Sequence, residues 1–363
     1  MEIEIQVVTY DDVKRGVIVN GDNHNFYKEG FEMKRKKVLL NNPNLSDDSF
    51  SAAYLVRAEA EVVGALFPFP TRIKVGEEII DAASASSLNV LKEYEKHAAG
   101  ADLVLAPIRD KRNKGVVLAD LSEDGLNCYQ AFRFKDFALP KMIQPRSSKF
   151  LLQNFGIKGF SLSALSCIIN VLLKPFISIS LYRLRNFAKR FNVVRLDVVP
   201  SWVDDMVLKD GHKYMEVHDH RWLQWCLDNT FSSENFHHKS FYAIYDNNER
   251  AIGFFLNYEK TTSIPYRHIF DLRQGTIMEW GSYDESKLSE LDITKIAISY
   301  FSKDLAMCQF ATTNKVVLNK MKSYGFIHHN YHHIVFKDNT KMLKDCGDSN
   351  LWRLRFGYAD SLF

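Results

Sequence analysis

The residues from Leu88 to Ala101 hold the pattern in this chain best suited to binding chemistry. Leu88-Asn89-Val90-Leu91 has the composition of a strand, a polar turn runs on to His97-Ala98-Ala99-Gly100, and helix-forming residues follow from Ala101. A helix that starts this way leaves backbone N–H groups unpaired at the positive end of its dipole. Such a start can hold a phosphate without any cationic side chain, and small residues let the ligand approach the backbone.

A second motif follows about thirty residues later, in Ser122-Glu123-Asp124-Gly125-Leu126-Asn127-Cys128-Tyr129-Gln130-Ala131-Phe132-Arg133-Phe134. The two pieces together resemble the GNAT acyltransferase family. That family has a strand with a splayed end, a loop of pattern Arg/Gln-x-x-Gly-x-Gly/Ala, and further on Asn-x6-Tyr-x3-Gly-Phe. Here the loop reads His97-x-x-Gly100-x-Asp102 and the second motif Ser122-x6-Tyr129-x3-Arg133-Phe134. The departures carry chemical weight, because Asp102 places a negative charge close to where a pyrophosphate would lie.

The resemblance implies acyl transfer from acetyl-CoA to an amine. On it, the backbone around Leu88 and Val90 holds the pantetheine and polarises the thioester carbonyl, and His97, Ala98, Ala99, Gly100 and Ala101 hold the pyrophosphate. Tyr129 protonates the departing thiolate. The base that takes the amine proton is unassigned, with Glu59, Glu61, Glu77 and Glu78 candidates by residue type alone. The likeness extends to tandem GNAT proteins of bacterial polysaccharide and cell-envelope gene neighbourhoods, through Trp222-Leu223-Gln224-Trp225-Cys226-Leu227-Asp228-Asn229 and a tail from Trp352 to Asp360. It implies a small-molecule, glycan-linked or lipid-linked amine, such as an amino sugar or envelope precursor, as acceptor.

The elements that must position these residues can be read in order. Ile3, Ile5 and Val7 alternate as in a strand. The basic run Lys34-Arg35-Lys36-Lys37 reads as a solvated helix face, with an anionic ligand as the other reading. Ala53 to Phe67 forms two strands meeting near Glu59, and Thr71 to Ala82 a further pair around Val75-Gly76-Glu77. Much of this recurs at an offset of about 190 residues. Gly64 is answered by Gly253 after a similar strand-turn-strand, and Asn42 by Asn229. The later motif is answered by Asn314-x6-Met321-x3-Gly325-Phe326.

The expected fold is therefore α/β (α+β) with two GNAT-like domains, each a mixed, mostly antiparallel sheet flanked by helices. Residues 1–150 form the domain with the acyl-CoA loop, 151–190 a helical linker, 191–340 a degenerate GNAT-like domain and 341–363 a C-terminal tail. The second half lacks a glycine-containing phosphate loop and has Met321 where the first has Tyr129, so it is expected to be structural or substrate-side. Its aromatic residues Trp222, Trp225, Tyr242, Tyr258 and Trp280 read as core, or in part as a face for a sugar or acyl substrate. Within the linker, Ser161 to Leu173 is expected to be helical and largely buried. The alternative is an interfacial helix, giving a peripheral membrane contact through 160–190.

Composition fits this picture. At 363 residues, 46% hydrophobic and 25% charged, the chain can build two soluble cores. The balance of 47 basic against 44 acidic residues demands no nucleic-acid partner. Five scattered cysteines without C-x-x-C spacing read as reduced thiols, and the acidic start MEIEIQVVTYDD is no signal peptide, so the expected location is cytoplasmic, at most peripheral at the inner face of the membrane. His328-His329-Asn330-Tyr331-His332-His333 falls where a strand is expected, which splits its histidines between two faces, and no metal site is assigned. There is no G-x-S-x-G, P-loop or Rossmann fingerprint. Two other classes stay open: a catalytically inactive tandem GNAT-fold binding protein, favoured by Asp102, Pro107 and Arg133, and a Fem-like transferase that draws its aminoacyl group from tRNA.

Overall fold

The computed structural model describes residues 3–31, 33–95, 97–119, 121–148, 152, 159–229, 237–264, 269–341 and 343–358. The chain divides into two compact units. Unit 1 comprises Met1–Ala138, Gly211–Phe231 and His333–Phe363, and unit 2 comprises Leu139–Asp210 and Ser232–His332. Both are mixed, mostly antiparallel sheets with helices, the α/β class expected from the sequence.

In unit 1, β1 (Ile3–Thr9), β2 (Ser51–Ala58), β3 (Glu61–Val75) and β4 (Glu78–Val90) form an antiparallel meander. Its turns fall at the expected places, with Glu59 at φ 56° and Gly76 at φ 63° supplying the left-handed conformation that two-residue reversals need. β5 (Gly115–Ala119) joins β4 in parallel and is itself paired, antiparallel, with β13 (Ile327–Asp338). The order is β1-β2-β3-β4-β5-β13, with β8 (Tyr214–Glu216) added beside the far end of β3.

Unit 2 follows the same plan. β7 (Asn192–Leu196), β9 (His237–Tyr245), β10 (Ala251–Ile264) and β11 (Ile269–Ser282) are antiparallel in the order β7-β9-β10-β11. β12 (Met307–Ala311) joins β11 in parallel, and β6 (Lys135–Pro145) pairs antiparallel on its other side. The last strand of each sheet thus comes from the other half of the sequence. β6 begins in unit 1 and ends in unit 2, and β13 does the reverse.

Helices cover these sheets. The first half contributes α1 (Tyr10–Arg15), α2 (Phe26–Gly30), α3 (Met33–Leu40), α4 (Ala99–Arg109) and α5 (Glu123–Ala131). Then come α6 (Gly159–Ala188), α7 (Trp202–Leu208), α8 (His220–Asp228), α9 (Glu290–Ser299) and α10 (Lys315–Lys322). α4 forms because Leu103, Val104, Ala106 and Pro107 recur at helical spacing, and all four are buried. Leu103, Val104 and Ala106 join Tyr54, Val56, Val63, Leu66 and Val116 in the unit 1 core, where each fully buried large aliphatic side chain stabilises by about 1.5–3 kcal/mol. Pro107 cannot donate to the helix ladder, and α4 stops two residues later.

One expectation is corrected, that of a largely buried linker, and two other segments pack away from their neighbours in sequence. The Trp-bearing helix α8 belongs to unit 1, not to the second half's core; Trp222 stacks on Phe69, and Trp225 Nε1 donates to the Val38 carbonyl at 3.0 Å. In the expected tail, Trp352, Phe356 and Tyr358 are buried, packed in unit 1. The linker contains one long helix, and its apolar residues are not largely buried: Ile168 is 63% exposed and Leu172 74%. Residues 151 and 153–158 of that linker, and 359–363 of the tail, lie outside the described residues.

The C-terminal end of α4 is fixed by Asp110, which accepts from Ser51 Oγ at 2.9 Å and Tyr54 Oη at 3.0 Å and pairs with Arg112 at 2.7 Å. Its partial burial acts to raise the carboxyl pKa, but the hydrogen bonds from Arg112, Ser51 and Tyr54 outweigh it and hold the group down at about 2. A depressed folded-state pKa gives stability that is present above the ordinary carboxylate value and lost as pH falls through the folded one. Asp110→Asn is therefore expected to lower the urea midpoint at neutral pH. The gap from the parent should close between about pH 4 and pH 2, which parallel denaturation curves will check.

Candidate active site

β4 and β5 are hydrogen-bonded over three residue pairs only, Ala82–Gly115, Ala83–Val116 and Ser84–Val117. Beyond Ser84 they part. β5 stays paired with β13 along its whole length, from Gly115–Asp338 to Ala119–Ile334. β4 is bent by a bulge: Ala65 faces Asn89 while Phe67 faces Ser86, so β4 carries one residue more than β3 across this step. Ser87 sits in the bulge at φ 55°, a left-handed conformation that costs a non-glycine residue of order 1 kcal/mol. Arg35 of α3 donates to Ser86 Oγ at 3.0 Å and to Ser87 Oγ at 3.3 Å. The basic run of α3 is thus not wholly a solvated face, since one of its cations supports the bulge.

The parted strands and α5 enclose a cavity of about 480 Å³, within the size range of small-molecule sites. One wall is β4 from Ala85 to Val90, another is Leu118 and Ala119 of β5, and the third is α5 with Ser122, Asp124, Gly125, Cys128 and Tyr129. The Ser122 hydroxyl caps α5 by accepting the Gly125 N–H at 3.1 Å. Tyr129 is buried on the inner side of α5 and meets Phe134 edge-on at 5.0 Å.

The structure brings three of the sequence-derived site residues, Leu88, Val90 and Tyr129, together around this cavity. His97, Ala98, Ala99, Gly100 and Ala101 lie at the start of α4 and do not line it. The His97 N–H is engaged in the preceding turn, donating to the Tyr94 carbonyl at 3.0 Å. Ala98 is the N-cap residue, at φ 60°, and offers no side-chain cap. The first helical bond is Asp102 N–H to the Ala98 carbonyl, and the N–H groups of Ala99, Gly100 and Ala101 have no acceptor among the described residues. Asp102 lies 3.9 Å from Arg109 along the same helix.

Glu59, Glu77 and Glu78 are exposed at hairpin ends, Glu61 pairs with His24, and none lines the cavity. The carboxylates that do are Glu95 and Asp124, neither of them a candidate by sequence. Glu95 sits in the β4–α4 turn and Asp124 in the first turn of α5, so proximity to the two motifs was the signal available. Cys128 also lines the cavity, and partial burial pushes its thiol pKa up. No group of three or more histidine, cysteine or acidic side chains fit for a metal occurs among the described residues.

Unit 2 repeats the backbone geometry with a different helix start. β11 and β12 share three pairs, Gln274–Met307, Gly275–Cys308 and Thr276–Gln309, and β11 is bulged where Leu256 faces Glu279 and Asn257 faces Ile277. α9 caps itself: Ser289 accepts the Asp292 N–H at 3.2 Å, and the Asp292 carboxylate reaches back to Ser289. Glu290 then accepts from Thr312 Oγ1 and, at 3.0 Å, from Asn314 Nδ2, tying the start of α9 to the start of α10. The helix start of unit 1 instead carries Ala98 at the cap, with no side-chain cap.

Comparisons with known structures agree with this geometry. The chain is similar to a GCN5-related N-acetyltransferase from Anabaena variabilis, with TM-score 0.56 and 9% identity over 93% of this chain and 73% of that one. It is also similar to a probable N-acyltransferase from Enterococcus faecalis, with TM-score 0.54, 11% identity and coverage of 94% and 74%. Saccharomyces cerevisiae N-myristoyltransferase with bound myristoyl-CoA gives TM-score 0.51, 10% identity and coverage of 93% and 82%. No protein-family model matches the sequence, and no curated protein matches it. At these identities the similarity defines the fold: it is a GNAT-like fold.

Both α5 and α10 end in a left-handed residue, Arg133 at φ 60° and Gly325 at φ 83°, and in each helix the next residue's N–H returns to the helix, Phe134 to Tyr129 and Phe326 to Met321. Only the first carries the Cβ penalty of that conformation. Arg133→Gly is expected to stabilise the protein by about 0.5–1 kcal/mol, which equilibrium urea unfolding will show as a raised midpoint at unchanged slope.

Proposed function

We propose that unit 1 is an N-acyltransferase that uses a CoA thioester as acyl donor and an amine as acceptor. The observation that carries this reading is the cavity where β4 and β5 part, with Tyr129 in its wall and an uncapped helix start following β4. The solved structures of the same fold support it, two described as N-acyltransferases of one kind or another and a third bound to myristoyl-CoA. On this reading the pantetheine arm lies along Ala85–Val90, where β4 has no ladder partner on the β5 side, and backbone groups there hydrogen-bond it. The diphosphate reaches the N–H groups of Ala99, Gly100 and Ala101.

The chemistry needs no covalent enzyme intermediate. The acceptor nitrogen attacks the thioester carbonyl, the C–N bond forms, and the C–S bond breaks. The Tyr129 phenol gives its proton to the departing sulfur, and Glu95 or Asp124, directly or through water, takes the proton released by the amine. On this reading, bulge N–H groups near Ser87 and Leu88 stabilise the oxyanion. Acetyl is the donor group of this reading, and an amino sugar or cell-envelope precursor the acceptor. Unit 2, with Glu290 bridging its two helix starts and Met321 in place of the tyrosine, is on this reading a duplicated copy that lends structure rather than catalysis. The repeated strand order, bulge and helix-end geometry support the duplication.

One observation favours a second reading. Among its lining residues the cavity has two carboxylates and no lysine or arginine, and Asp102 adds a third acidic group in the first turns of α4. A catalytically inactive fold that binds a neutral or cationic ligand would suit that charge.

Calorimetric titration with acetyl-CoA and longer acyl-CoAs separates the two. A Cβ at Gly100 would meet only Val90 Cγ2, at 3.9 Å, so Gly100→Glu can fold while placing a carboxylate at the diphosphate position. Binding to the parent, its loss in Gly100→Glu, and binding with turnover down by roughly a hundredfold or more in Tyr129→Phe are the outcomes expected of the enzyme. No heat from the parent at millimolar ligand refutes it.

A further inference from the structure

α6 offers an unusual surface. The side of it that packs on unit 2 is marked by Ser166, Ile177, Ser180, Leu184 and Ala188, which recur at helical spacing and are buried. This side is anchored by polar contacts: Asn170 Oδ1 accepts the Ser148 N–H at 2.9 Å, and Ser180 Oγ and Gln144 Nε2 both donate to the Tyr324 carbonyl, at 2.9 and 2.7 Å. The opposite side carries Ile168, Val171, Leu172, Ile179 and Tyr182, each more than half exposed. Leu165–Ala188 is long and apolar enough by composition to cross a membrane. It is neither of the usual impostors, being mostly exposed rather than a core helix and far from the N-terminus.

Charge points to the occupant. From Phe137 to Leu196 the sequence has ten basic residues and no acidic one, whereas the whole chain carries a formal +3, so the remainder carries −7. Lys174, Arg183, Lys189 and Arg190 are exposed on α6 and just beyond it. A protein partner's surface has no reason to be matched by so complete a loss of acidic residues. An anionic lipid leaflet does, since it attracts lysine and arginine along its whole plane and repels carboxylates equally.

We propose that α6 docks unit 2 on an anionic bilayer, lying in the interface plane with Ile168, Leu172 and Ile179 inserted among the acyl chains and its basic residues at the headgroups. The helix lies rather than crosses, because a span would strip Ser180, Leu184 and Ala188 from their packing on unit 2. The inference is independent of the acyltransferase reading, since no cavity residue takes part.

The test is co-sedimentation of the full chain with vesicles of phosphatidylcholine alone or mixed with phosphatidylglycerol. Binding is expected only to the mixed vesicles, falling as salt rises from about 0.1 M to 0.5 M. Ile168→Asp with Leu172→Asp should weaken it by roughly tenfold or more while far-UV circular dichroism is unchanged. A fluorophore on Cys167, beside the apolar face, in a Cys128→Ser background should shift to the blue on mixed vesicles. Equal binding of parent and double variant would overturn the role of the apolar face. A parent that ignores vesicles would overturn the proposal, and if it is also a dimer that the double variant makes monomeric, a second copy of the chain is the occupant instead.

Discussion

The geometry of unit 1 depends on how few residues β4 and β5 share. Three parallel pairs hold them together, and the next strand over, β13, then keeps β5 straight through all five of its residues. A β-strand cannot follow two diverging neighbours, so β4, held on its other side to β3, must leave β5 or buckle. The bulge at Ser87 is how the backbone accommodates the departure. The left-handed residue it requires is held by Arg35 from α3, which gives one cation of that basic helix a structural task. The wedge-shaped gap follows from these constraints, and α5 closes its third side.

The same backbone recurs in unit 2 with a different helix start. There the three-pair contact and the bulge recur, but hydrogen-bond donors at the start of α9 are answered from within by Ser289 and Asp292, and Glu290 bridges to Thr312 and Asn314. Internal satisfaction of a helix start removes what makes it attractive to an anion. Unit 1 leaves Ala98 in the cap position, with neither a hydroxyl nor a carboxylate to do this. The contrast between the two helix starts, more than any catalytic side chain, is what separates the units chemically.

Much of this was legible in the sequence because it was local. Turn residues Glu59 and Gly76 and the alternation of β1 each follow from a few neighbouring residues, and the recurrence of Gly64 as Gly253 pointed to the common strand order. What could not be read was set by distant pairing. The carboxylates Glu95 and Asp124 are ordinary polar residues until the splay turns them toward one cavity. Trp222 and Trp225 carry no mark of packing against Phe69 and Val38, because the spacing of apolar residues along a helix tells that a face is buried, not against which strand. The exposure of Ile168 and Leu172 escapes the sequence for the same reason: an apolar helix face avoids water, and its residues alone do not say whether protein or something else covers it.

The exchange of last strands makes the two units interdependent in composition. Residues 1–150 contain every wall of the cavity, yet not β13, and without it β5 would present an unpaired edge just where it must be held straight. The mutual divergence of β4 and β5 needs a pull from both sides, and one of those pulls comes from residues 334–338 near the end of the chain. β12 stands in the same relation to β6, which lies between the first half and α6. A cleft that looks like a property of one contiguous motif is therefore completed by the sequence's other half. Lengthening or shortening the segments between them would act on the cleft through strand register and leave its lining residues untouched.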